Sequence, residues 1–164
     1  MELIYNNFDA LDVTFQGALP EKVLNQLAKA REQAQNEKRE VYVELGFERM
    51  PVMVAETGAR GGYRYRFDTG MDGEIWFIAH STNSKMWNIR VSVKSLALSL
   101  SGYKMVKNRL LKRLKALSAH GPSRHDSGNG GKPTVINTPL ESISRFDYCL
   151  SLIHISEPTR PSQI

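Results

Sequence analysis

The sequence predicts an α+β fold, a mostly antiparallel sheet with two helices packed on one face. Three observations carry this. Between residues 40 and 94, segments that alternate apolar and polar residues follow one another at hairpin spacing, with no helical stretch between them. Near 20–38 and 103–118 the apolar residues instead recur at helical spacing. Finally, 164 residues with 41% hydrophobic and 24% charged content suit one globular domain.

The elements follow in order. Phe8 to Gln16 is rich in strand formers and is bounded by Gly17. Pro20 opens a helix at a favourable first position, and the helix runs to about Lys38. Val23, Leu27, Ala30 and Ala34 form its apolar face, with Leu24 beside them. Glu40 to Leu45 reads as a strand, and Gly46 opens a turn. Met50 to Glu56 is the next strand, where Pro51 marks an edge or a strand start. Gly58 to Gly62 is a loop. Tyr63 to Asp68 alternates, with Tyr63, Tyr65 and Phe67 on one side and Arg64, Arg66 and Asp68 on the other. A turn at Gly70 to Gly73 returns the chain as Glu74 to His80. Trp87, Ile89, Val91 and Val93 then alternate with Asn88, Arg90, Ser92 and Lys94. A second helix covers Tyr103 to Ser118, with Val106, Leu110, Leu114 and Leu117 as its buried stripe. Residues 119–139 are rich in Gly, Ser and Pro and read as a flexible loop. A last strand starts near Ser142 and reaches Cys149.

Composition excludes several classes. No apolar run approaches the roughly 18 residues of a membrane helix, and the first residues lack a secretory pattern. The single cysteine, Cys149, allows neither an internal disulfide nor a Cys-based zinc site. The expectation is a soluble cytoplasmic protein with no membrane partner.

Charge is concentrated in the middle. Residues 1–59 hold 6 Lys/Arg and 10 Asp/Glu, residues 60–124 hold 13 and 3, and residues 125–164 hold 3 and 4. Such a positive block suits a polyanion. Arg64, Arg66, Arg90 and Lys94 fall on the polar side of their strands, so a shared sheet would gather them on one face. Guanidinium forks match phosphate oxygens there, and Asn88 and Ser92 interleave as hydrogen-bonding groups. The helix adds six cations between 104 and 115, with Lys104 and Lys112 as candidate phosphate contacts. The alternative in each case is an ordinary solvated face.

Other patterns carry less. Gly58, Gly61 and Gly62 surround Arg60 without the spacing of a phosphate-cradling loop. His120, His125 and Asp126 sit in the expected loop, which argues against a metal site. Trp76 and Trp87 read as packing residues in preference to base-stacking platforms. Arg145 and Asp147, an Arg-x-Asp on the last strand, can set a carboxylate for a divalent cation beside a phosphate-binding guanidinium.

Leu150 to Arg160 resembles the in-frame translation of a common transposon-based sequencing adapter. On that resemblance residues 150–164 are a non-native tail, in which His154 and Glu157 carry no functional weight. Residues 1–149 are then a single domain cut short at its C-terminus.

The strand Phe8-Asp-Ala-Leu-Asp-Val-Thr-Phe15, the hairpin region and Ile143-Ser-Arg-Phe-Asp-Tyr-Cys149 resemble replication initiation factors of rolling-circle plasmids and filamentous-type phages. The resemblance implies a DNA-nicking enzyme with a tyrosine nucleophile and a divalent cation, Mg or Mn, held by carboxylates. Arg145 and Asp147 match the family's Arg-x-Asp. A second Asp would fall at 151, where Ser151 stands, and the family's tyrosine lies further downstream. The implied function is the DNA-binding, N-terminal part of such an initiator, with Asp147 as its metal ligand and no catalytic residue of its own. The runner-up is a non-catalytic nucleic-acid-binding protein of a phage or mobile element.

Overall fold

A computed structural model describes residues 2–46, 51–122, 124–126, 134–136 and 140–153, with side-chain surroundings given for 11–46 and 51–122. The chain is α+β, as the patterning predicts. Seven strands form one sheet: β1 (Glu2–Gln16), β2 (Val41–Glu44), β3 (Pro51–Val54), β4 (Tyr63–Asp68), β5 (Glu74–Ala79), β6 (Ile89–Val93) and, after the helices and a small hairpin, a last long strand. Helix α1 (Glu21–Glu37) follows β1, and α2 (Ser95–Ala116) follows β6. A separate two-stranded hairpin joins β7 (Arg124–Asp126) to β8 (Thr134–Ile136), and β9 (Leu140–Ile153) is the last strand. The main sheet has the order β2-β3-β4-β5-β6-β1-β9, antiparallel throughout.

The topology follows from one crossing. Helix α1 carries the chain from β1 to the far edge, and the meander β2 to β6 walks back to β1. Leu24, Leu27, Ala30 and Ala34 of α1 are buried against that meander. Pro20 stands just outside the helix with an extended ψ of 149°, and its carbonyl accepts from the Val23 and Leu24 amides. It therefore precedes the first helical position, one residue earlier than its φ suggests from sequence.

One face of the sheet is the core. Leu11, Val13, Phe15, Tyr65, Phe67, Trp76, Ile78, Ile89, Val91 and Val93 are all buried there. Trp76 and Phe67 stack at 5.8 Å with 8° between ring planes, an arrangement worth about 1 kcal/mol beyond area burial. Both helices close this side, α2 through Ala97, Leu98, Val106, Leu110 and Leu114. Among the described residues no helix is long and apolar enough to cross a membrane.

Four expectations are corrected. Helix α2 begins at Ser95, eight residues early, and Gly102 breaks its course with φ 76° and ψ 164°. Ser95 to Ser101 alternates Leu with Ser or Ala, which hides helical spacing. The expected loop contains the β7–β8 hairpin. The last strand spans Leu140–Ile153, and its main chain pairs with β1 from Gln16↔Leu140 to Glu2↔Ile153. Finally, β6 begins at Ile89. Trp87 before it is 45% exposed and Asn88 is buried, reversing the two residues' expected sides. Asn88 is drawn inward because its amide donates to the carbonyls of Gly17 (3.0 Å) and Asn83 (2.8 Å). It contributes nothing to the polar face.

Candidate nucleic-acid interface

The face of the sheet that the helices leave open carries a row set by strand register. Arg66 pairs with Phe77, Phe77 with Arg90, and Arg90 with Thr14. Directly paired residues share a face, so an aromatic ring lies between two guanidinium groups on adjacent strands. Arg90 Cζ is 5.5 Å from the Phe77 ring centroid, within cation–π range. Arg90 also lies 3.7 Å from Asp12. Arg66 and Arg64 make no ion pair among the described residues.

A second aromatic joins Phe77 through an irregularity. Tyr63 pairs with Ala79 but Tyr65 pairs with Ile78, so β4 is bulged between them. Such an extra residue re-aims the side chains on one flank. Tyr65 is buried in the core, whereas Tyr63 is half-buried with its ring 6.2 Å from that of Phe77. The expected grouping of Tyr63 with Tyr65 and Phe67 is therefore wrong. Gly58 permits the bulge: a Cβ there would lie 1.9 Å from the Tyr63 carbonyl oxygen. The Ala59 amide donates to that same oxygen at 2.9 Å.

A neighbouring row runs Tyr42, Met53, Asp68, Ile75, Ser92, Asp12 and Arg145 by main-chain register. Tyr42, at the β2 edge, is 68% exposed. Lys94 stands at one end of this face, but it is engaged. Its Nζ donates to both Asp68 carboxylate oxygens at 2.8 Å and to the Gly70 carbonyl at 2.7 Å. It pins the β4–β5 turn in preference to standing ready for a phosphate.

The basic helix does not extend this surface. Lys104 and Lys112 are exposed on α2, which covers the opposite side of the sheet. Two other cations of that helix turn inward. Arg113 is 7% exposed and its Nη1 donates to Glu74 Oε1, at the start of β5. Arg109 Nη2 lies 3.6 Å from Glu74 Oε2 and donates to the Asp72 carbonyl at 3.2 Å. Glu74 itself is fully buried. Helical spacing put Arg109 and Arg113 among solvated charges; the buried carboxylate at the sheet end reverses that.

Arg145 pairs through its main chain with Asp12 and Asp147 with Ala10; their side chains lie outside the described surroundings. The expected metal ligand therefore has no described environment. Among the described residues no three His, Cys, Asp or Glu side chains converge on a cation position. His125 and Asp126 fall in β7, also without described side chains. A shallow cleft of about 400 Å³ beside α1 is lined by Glu21, Leu24, His80, Ser81, Thr82 and Asn83. The Tyr65 hydroxyl reaches it through a 2.5 Å hydrogen bond with His80 Nδ1.

Sequence reasoning found Arg66 and Arg90 and missed the aromatics between and beside them. A signal was present. Ile75-Trp-Phe-Ile-Ala79 is apolar on both sides of its strand, and a one-sided sheet has no packing use for the second apolar side. No protein family, curated protein or solved structure matches the chain.

Proposed function

We propose that this chain binds DNA through the open face of its sheet, as the DNA-binding portion of a cytoplasmic rolling-circle replication initiator. The observation that carries the binding is the Arg66–Phe77–Arg90 row. Two guanidinium groups flank an apolar ring on a face that neither helix covers. Guanidinium groups supply bidentate phosphate contacts, and each phosphate they neutralise releases condensed counterions. The sequence resemblance of residues 8–15 and 143–149 supports replication initiation as the setting.

The test is fluorescence anisotropy of the 164-residue chain with labelled DNA across a salt series. The affinity falls as salt rises, with a log–log slope of roughly −0.7 to −0.9 for each phosphate engaged. Binding that ignores salt, or no binding at low salt, overturns the reading.

A further inference from the structure

We infer that the DNA held on this face is single-stranded and that its bases stack on Phe77 and Tyr63. The inference rests on the open face being the DNA surface, and it adds what the face selects.

A phosphate-binding face needs cations and polar donors, yet the centre of this one is apolar. Phe77, Tyr63 and Ile75 are half-buried at its middle. A duplex hides its base faces inside its own stack, so it would meet this centre with phosphates alone. A sheet face that takes a duplex must open the minor groove and wedge its apolar side chains between stacked base pairs, at an unstacking cost at each step, a cost that a single strand does not carry. A single strand exposes its base faces. Sheet surfaces with aromatic rings on neighbouring strands hold splayed bases in this way.

The two rings are arranged for separate bases. They lie 6.2 Å apart and are tilted by 56°, so neither stacks flat on the other. Arg90 stands over Phe77 at 5.5 Å, where it adds cation–π attraction to a stacked base and reaches the adjoining phosphate. Arg66, in direct register with Phe77 on the other side, serves the next phosphate. Tyr63 owes its place to the β4 bulge. That bulge is held by the Ala59–Tyr63 hydrogen bond of 2.9 Å and by the close approach that Gly58 permits. A strand without the bulge would send Tyr63 into the core with Tyr65.

The experiment compares three probes on the full chain: a labelled oligothymidylate of about 12 nucleotides, within the range of single-domain site sizes, the same length with abasic residues at its centre, and a duplex. The oligothymidylate binds most tightly, and abasic substitution weakens it roughly tenfold, the scale of one lost stacked base. Phe77→Leu, which keeps an apolar side chain, weakens oligothymidylate binding by a similar factor. Equal binding of all three probes, with a normal salt slope, overturns the stacking inference and leaves phosphate binding standing. Absence of salt-dependent binding to any probe overturns both. The abasic comparison uses unaltered protein, so it decides the matter even if Phe77→Leu fails to fold.

Discussion

Arg90 holds its guanidinium 5.5 Å from the ring centroid of Phe77, its direct neighbour across the β5–β6 ladder. The contact joins the two kinds of group that a nucleic-acid strand presents partners for, a cation for phosphate and a ring for base. Neither is needed by the core, which lies on the other face.

Arg66→Gln tests the electrostatic half. Arg66 has no ion pair among the described residues, so its loss costs the fold within about 0.5 kcal/mol. The salt slope of DNA binding becomes shallower by roughly 0.7 to 0.9, one phosphate's worth. An unchanged slope in anisotropy titrations places the phosphate elsewhere.

Lys104→Gln supplies the contrasting case. Lys104 is exposed on α2, across the sheet from Arg66. Its neutralisation leaves the salt slope unaltered, because counterion release counts only phosphates actually contacted. A slope reduced as much as by Arg66→Gln would show that DNA lies on the helical side.

How much of this was legible follows from what periodicity can encode. The alternation of β4 and β6 placed Arg66 and Arg90 on one face, and register then brought them to the same row. Tyr63 was misplaced because a bulge adds a residue without changing local composition. Asn88 was misplaced, and Lys94 was put on the right face but read as free for phosphate, because each depends on a distant partner, the Gly17 carbonyl and the Asp68 carboxylate. Arg113 failed in the same way: its partner Glu74 is 39 residues away. Local pattern reports the side of an element, while long-range polar pairing decides the exceptions.

Glu74→Gln tests that pairing. Glu74 is fully buried, beside the Arg113 guanidinium. Removing the carboxylate charge takes away the anion that the buried Arg113 guanidinium faces, at about 3 to 5 kcal/mol. Arg109 retains some solvent access and tolerates the loss better. Glu74→Leu combined with Arg113→Met recovers much of the stability, since an apolar pair removes both desolvation costs. Urea denaturation of the single and double variants measures the coupling. Equal midpoints for Glu74→Gln and the unaltered protein would show that the pair contributes nothing.

Gly58→Ala joins stability to binding. The added Cβ would lie 1.9 Å from the Tyr63 carbonyl oxygen and 2.6 Å from the Arg64 carbonyl carbon and oxygen, main-chain atoms that cannot swing away. The loop must move, and the Ala59–Tyr63 hydrogen bond goes with it. Expected are a loss of roughly 1 to 3 kcal/mol, the range for overpacking, and weaker oligothymidylate binding as Tyr63 shifts. Unimpaired binding would separate Tyr63 from the site.

Gly102→Ala strikes the backbone without a collision. Gly102 has open space around its Cβ position, but its φ of 76° and ψ of 164° lie where essentially only glycine goes. Strain of about 1 to 3 kcal/mol follows for alanine. The strain can be relieved by straightening α2, which would turn Leu98 and Ala97 out of the core they now fill, so relief is itself costly. The thermal midpoint therefore falls. DNA affinity stays at the unaltered value at temperatures where the variant is folded, because α2 lies behind the sheet from Arg66 and Phe77. A Gly102→Ala protein that is both stable and helical through residue 102 by amide exchange would show that the break in α2 is dispensable.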